Sequence, residues 1–82
     1  MKYVFHSDPG HGWLEVKKSE LVRLGIADKI TSYSYMRGDK VYLEEDCDYS
    51  TFLRAKEAAG EKVAYVENYQ EYSPIRGYDY YE

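Results

Sequence analysis

The sequence predicts an α+β domain: one small, mainly antiparallel sheet in the order β-β-α-β-β-α-β, with two short helices on one face. Three features of the 82 residues carry that reading. Runs rich in tyrosine, valine and phenylalanine alternate with stretches of helical spacing. Arg37-Gly38-Asp39 stands between two strand-like runs, the signature of a hairpin. Each stretch of helical spacing ends on a glycine, Gly25 or Gly60, where a left-handed C-cap belongs.

Taken in order, residues 2–6 form a first strand through Tyr3, Val4 and Phe5, and Asp8-Pro9-Gly10 with His11-Gly12 makes a turn. Residues 13–17 alternate, with Leu14 and Val16 on one side and Trp13 and Glu15 on the other. Ser19 caps a short helix that carries Glu20 in its first turn and Leu21, Val22 and Leu24 as apolar residues. Ile26, beyond Gly25, folds back on Leu21 as in a Schellman motif. Residues 29–36 and 40–45 are the hairpin strands. Asp48 N-caps a second helix reaching Ala59, whose Tyr49, Phe52, Leu53, Lys56 and Ala59 make a half-buried face. Residues 62–67, with Val63, Ala64, Tyr65 and Val66 in a row, are the last strand. The domain spans residues 1–72; Ser73-Pro74 interrupts regular structure, residues 73–82 read as a polar, tyrosine-rich tail, and its end, residues 77–82, is expected to be disordered.

A chain of this length holds one core and buries about 60–65% of the surface its unfolded form exposes. Eleven tyrosines contribute to the 44% hydrophobic fraction, and tyrosine serves surfaces as well as interiors. The single cysteine, Cys47, rules out an internal disulfide and a cysteine-built zinc site, which suits a reducing compartment. No apolar run exceeds about five residues, so neither a transmembrane helix nor a signal-peptide core is expected and the expected location is the cytoplasm. The net charge of −4 is unevenly held: residues 1–38 carry four acids against six bases, residues 39–82 eleven against five. An acidic half repels nucleic acid and draws basic surfaces.

Residues 39–48, DKVYLEEDCD, crowd Glu44, Glu45, Asp46 and Asp48 together with no base among them. A two-residue turn at Gly38-Asp39 pairs Met36 with Val41, Ser34 with Leu43 and Ser32 with Glu45. That face, with Ile30, belongs to the core. The opposite face carries Thr31, Tyr33 and Tyr35 against Asp46, Glu44 and Tyr42. Phenols offer rigid contact area, and carboxylates accept bidentate hydrogen bonds from arginine. The predicted partner-binding residues are therefore Tyr33, Tyr35, Tyr42, Glu44, Glu45, Asp46 and Asp48, and the predicted partner is a basic, arginine-rich protein surface. The ending Tyr78-Asp79-Tyr80-Tyr81-Glu82 adds to the same character. A plainer account stands beside it: Asp48 as a helix cap, Glu45 and Asp46 at the positive end of the helix dipole, and the tyrosines as solvent-facing strand formers.

His6, Asp8 and His11 supply the alternative, a divalent-metal site of a small hydrolase completed by Glu45 or Asp46. Their spacing is not diagnostic, and the turn residues Pro9, Gly10 and Gly12 explain the loop without a metal. No catalytic residue, metal or other cofactor is assigned. Cys47 sits among carboxylates, which raise a thiol pKa, so it is not a nucleophile. Arg37-Gly38-Asp39 matches the tripeptide that integrins read, yet a tight hairpin accounts for it. Lys17, Lys18, Arg23 and Lys29 form a solvated basic edge without a phosphate-cradling loop. A tyrosine-faced sheet could stack the bases of a single strand, but its acidic neighbours repel the backbone. A homodimer through the tyrosine face or an unpaired edge strand stays open.

His11-Gly12-Trp13-Leu14, Leu24-Gly25-Ile26, Tyr33-Ser34-Tyr35 and Tyr42-Leu43-Glu44-Glu45-Asp46 follow one another within residues 5–53. Their order resembles a pattern in short open reading frames of bacteriophages and mobile elements. That family has no assigned chemistry, so the resemblance carries over no catalytic residue. What it implies is context, because small acidic phage proteins are often inhibitors of host defence, including anti-CRISPR and anti-restriction proteins that imitate the charge of DNA. The expectation that follows is a non-enzymatic anti-CRISPR-type inhibitor in the host-cell cytoplasm. Its partner would be a CRISPR effector or another nucleic-acid-binding host complex, with carboxylates standing where phosphates sit.

Overall fold

The computed structural model describes residues 2–82 and has the expected α+β architecture, a six-stranded, mostly antiparallel sheet with two short helices. β1 (Lys2–Ser7) and β2 (Gly12–Lys17) form the first hairpin, and α1 (Lys18–Arg23) follows directly. β3 (Tyr35–Arg37) and β4 (Lys40–Glu44) make the second hairpin, before α2 (Tyr49–Ala58). β5 (Ala64–Tyr69) and β6 (Asp79–Tyr80) then occupy the two edges, in the order β5-β1-β2-β4-β3-β6. β4, α2 and β5 form a crossover unit that passes β2 and β1, so β5 lies parallel to β1 while the other pairs are antiparallel.

Short-range chemistry explains the element ends. At the end of α1, Gly25 has φ 72°, its N–H donates to the Val22 carbonyl (3.0 Å), and the Ile26 N–H donates to Leu21 (3.0 Å). This is the Schellman pair. Gly60 closes α2 in the same way, with its N–H on the Glu57 carbonyl (3.0 Å) and the Glu61 N–H on Lys56 (2.9 Å). The second hairpin turns on Gly38 at φ 60° while Asp39 keeps a negative φ, the sign pattern of a type II′ turn. Met36 pairs with Val41 and Tyr35 with Tyr42, as the alternation requires.

Two expectations at helix starts fail. Lys17, not Ser19, stands at the N-cap of α1, and no side chain caps it. Asp48 does occupy the N-cap position of α2, but its carboxylate makes no capping bond. It reaches instead across to residues 31–34. There it accepts the Thr31 N–H (3.1 Å), the Thr31 hydroxyl (2.7 Å) and the Ser34 hydroxyl (2.5 Å). That clamp is why residues 29–36 do not form one strand. Ala27–Lys29 is a 3-10 helix, a turn follows with the Ser34 N–H on the Thr31 carbonyl (3.2 Å), and pairing begins only at Tyr35. The Ser34–Leu43 and Ser32–Glu45 pairs are absent from the ladder; the Glu44 N–H donates to Ser34 Oγ (3.0 Å) in their stead.

Both helices cover one face of the sheet. Tyr3, Leu14, Val16, Val41 and Leu43 from the strands meet Leu21, Ile26, Ile30 and Phe52 in the main core. Gly12 is part of this fit, since a Cβ there would lie 2.4 Å from Phe5 Cζ. The segment 73–82 is not a tail. Ser73 Oγ accepts the Ile75 N–H (3.3 Å) at the start of a second 3-10 helix, Pro74–Gly77, and β6 pairs with β3. Ile75 packs on Trp13 and Tyr42 in a second cluster on the outer face. Tyr81 enters the main core, and its hydroxyl donates to the Ala27 carbonyl. The domain therefore includes residues 73–82. Among the described residues, no helix is long and apolar enough to cross a membrane.

Candidate functional site

Strand alternation aims Trp13, Glu15, Tyr35, Tyr42 and Glu44 away from the helices, on the face expected to meet a partner. The C-terminal segment takes much of that face for itself. Tyr42 is only 7% exposed, with its ring 5.1 Å from that of Tyr78, and burial together with the nearby Glu15 charge pushes its phenol up to about 12. Glu44 is also 7% exposed; one carboxylate oxygen accepts the Asp46 N–H (2.8 Å), and the other lies 3.6 Å from His11 Nδ1. Asp48, at 1%, is the internal clamp described above. Tyr42, Glu44 and Asp48 are thus withdrawn from the outer surface, because groups of the same chain already satisfy or cover them.

Tyr33, Glu45 and Asp46 remain exposed, and Tyr35 is half-buried. Of these, Tyr33, Tyr35 and Asp46 line a cleft of about 250 Å³ together with His11, Trp13, Glu44, Cys47 and Arg76. Arg76 does not neutralise its acidic end. Its guanidinium lies over the Trp13 ring, 5.4 Å from the centroid, and is held by Asp8 through Nε (2.6 Å) and Nη2 (3.1 Å). That bond to Arg76 keeps the Asp8 carboxyl well below the usual carboxylate range. Among the described residues, Asp46 and Glu45 have no ion-pair partner. Glu45 stands apart from the cleft, its carboxylate beside Gly12.

A second depression, of about 390 Å³, is lined by Ser32, Tyr33, Tyr35 and Tyr80. Tyr80 stacks on Tyr35 (centroids 5.4 Å, planes 25° apart) and is 65% exposed, while Tyr33, which lines both hollows, is 69% exposed. Aromatic planes beside unpaired carboxylates can receive a guanidinium, which stacks on a ring and forks onto an acid. The sequence pattern missed Tyr80 as a site residue, and its only signal was the tyrosine density of residues 78–82.

His6, Asp8 and His11 are not brought together. His6 Nε2 bonds Glu15 (2.8 Å), Asp8 accepts the Gly10 and His11 N–H groups besides Arg76, and the His11 ring sits beside Trp13. Among the described residues, no group of three or more His, Cys, Asp or Glu side chains is arranged to hold a metal. The Cys47 thiol is pushed up by burial and by its hydrogen bond with Glu44.

A second charged constellation lies on the helical side. Lys56, nearly buried, donates its three N–H bonds to Tyr3 (2.7 Å), Glu20 (2.8 Å) and Glu61 (2.8 Å), and Arg23 forks onto Glu61 (2.9 and 3.0 Å). Desolvation alone would lower the Lys56 pKa, but its bonds to Glu20, Glu61 and Tyr3 raise it, so the cluster favours the ammonium form. A lysine in the apolar stripe of α2 is the sequence signal for this cluster. Compared with known proteins, the chain matches no family model, no curated sequence and no solved structure.

Proposed function

We propose that this chain is a non-enzymatic interaction protein that holds a basic, arginine-presenting surface at the cleft formed by Tyr33, Tyr35 and Asp46, extended by Tyr80. The observation that carries this is the pairing of free charge with free aromatic area. Asp46 has no ion-pair partner among the described residues, Tyr33 in the same cleft offers more than half its surface, and so does Tyr80 in the adjoining hollow that Tyr33 also lines. An arginine entering from solvent would stack on a phenol and donate to Asp46, with Glu44 adding negative potential behind it. The resemblance to short phage reading frames makes a CRISPR effector, or another nucleic-acid-binding host complex, the first partner to try. In that role Asp46 and Glu45 would occupy phosphate positions on the basic groove of the partner, and the chain would act as an inhibitor by competition.

A charge-assisted hydrogen bond of this kind contributes about 1.5–3 kcal/mol, roughly a ten- to hundredfold effect on affinity. Capture from a bacterial lysate supplies the partner, and titration of the purified pair at two salt concentrations supplies the test. Binding should fall steeply with salt, and Asp46→Arg should weaken it by about that factor while leaving the circular dichroism unchanged. If Asp46→Arg and Tyr33→Ala both bind as the parent chain does, this surface is not the site. Direct binding of a labelled oligonucleotide in fluorescence anisotropy would point instead to base stacking on Tyr33 and Tyr80.

A further inference from the structure

We propose that β5 is a self-association edge, along which two copies of this chain pair antiparallel about a twofold axis at Val66. β5 closes the sheet on one side, with β1 as its one neighbour, and all six of its residues are exposed. The Gln70 N–H donates to the Ser7 carbonyl (2.9 Å), so the even-numbered residues of this strand face β1. By the two-residue repeat, Tyr65, Glu67 and Tyr69 turn their N–H and C=O groups outward. Natural edges are shielded by lysine, proline or a bulge. Ala64–Tyr69 carries no lysine and no proline, and Glu67 is its one charge, in a chain that is 32% charged.

The side chains choose a second copy as the occupant. Antiparallel pairing that keeps the helices of both copies on one side sets like-facing residues opposite each other. With Val66 on the axis, Val66 meets Val66 of the second copy, and Tyr65 meets Glu67 of the second copy on each side. The phenol is a donor and the carboxylate an acceptor, so a strand that holds both two residues apart is complementary to itself under a twofold. Tyr65 is already braced by the Phe5 ring (5.4 Å), and Glu67 by the Ser7 hydroxyl (2.6 Å). The neighbouring register, centred on Glu67, would oppose two carboxylates and is disfavoured. The result is a continuous twelve-stranded sheet held by a small, weak interface. This edge lies at the far side of the sheet from β3 and β6, so the dimer and the proposed arginine cleft are independent.

Sedimentation velocity over a hundredfold range of concentration tests it. The parent chain should pass from monomer to dimer as concentration rises, and raised salt should favour the dimer by screening two copies of net charge −4. Val66→Lys, which sets two ammonium groups face to face on the axis, should weaken association at least tenfold with unchanged melting. Val66→Thr should keep it, as should Asp46→Arg. A parent chain that stays monomeric throughout, or a dimer indifferent to Val66→Lys, overturns the proposal.

Discussion

At the scale of single residues, the behaviour of Asp48 follows from an accounting of donors. A buried carboxylate survives only where enough donors meet it. Thr31 and Ser34 provide a backbone N–H and two hydroxyls, and they can do so only if residues 31–34 leave the strand path. The same bonds tie the start of α2 to the loop ahead of β3. Asp48→Ala would strip one acceptor from three inward donors, and about 3 kcal/mol of stability should go with it. That is a large share of the roughly 5–15 kcal/mol typical of a domain. Asp48→Asn retains one acceptor oxygen and should lose less. Urea unfolding followed by far-ultraviolet circular dichroism ranks the three proteins; equal midpoints would mean that the clamp contributes nothing.

At the scale of elements, the segment after β5 decides the character of the outer face. The 3-10 helix Pro74–Gly77 sets Ile75 on Trp13 and Tyr42, and β6 extends the sheet by pairing with β3. Each link is short, but together they convert half of a solvent-facing ribbon into a second small core. Ile75→Ala should cost about 2–5 kcal/mol, in the range of large-to-small changes at buried sites. Trp13 is the one tryptophan of the chain, so its emission reports on this cluster directly. The native spectrum should be blue-shifted and move to the red in Ile75→Ala, as water reaches the indole. No shift, with no loss of stability, would show that residues 73–82 do not cover the sheet in solution.

At the scale of the whole molecule, the network of charges sets how stability varies with pH. Asp8 is held low by Arg76, and Glu61 is lowered from 4.5 to about 2 by its bonds with Arg23 and Lys56. For Glu20, burial pulls upward, yet the bonds from Lys56 and Tyr3 win and the net shift is downward. A carboxylate whose folded pKa lies below its unfolded one adds stability above the unfolded value and loses it as pH falls through the folded one. Through these three carboxylates, stability should therefore be level above about pH 5 and decline between about pH 4.5 and 2. Protonating Glu20 and Glu61 also strands the Lys56 ammonium in a nearly buried position, which steepens the loss. Melting curves at pH 6 and pH 3 check this, and Glu61→Gln should flatten the difference. A melting temperature independent of pH over that range would contradict the paired geometry.

What the sequence determined by itself was whatever rests on neighbours along the chain. Gly25 and Gly60 end helices because a left-handed C-cap needs no distant partner. Gly38 turns the hairpin for the same reason, and the parity of Tyr35 against Met36 follows from the pleat. The fold class follows from these local signals together with hydrophobic period. What only the tertiary structure decided is where polar side chains spend their hydrogen bonds and which surfaces the chain covers with itself. Asp48 had the local form of a helix cap, and Thr31 and Ser34 captured it from a distance of more than a dozen residues. Tyr42 had the alternation of an outer face, and Ile75 and Tyr78 closed over it from more than thirty residues away, while the Glu44 carboxylate on the same face turned to the Asp46 N–H and lies near His11. Alternation states on which side of a sheet a residue lies, but burial depends on what later chain comes to rest there, and a single apolar residue among polar ones, such as Ile75, gives no periodic sign of it.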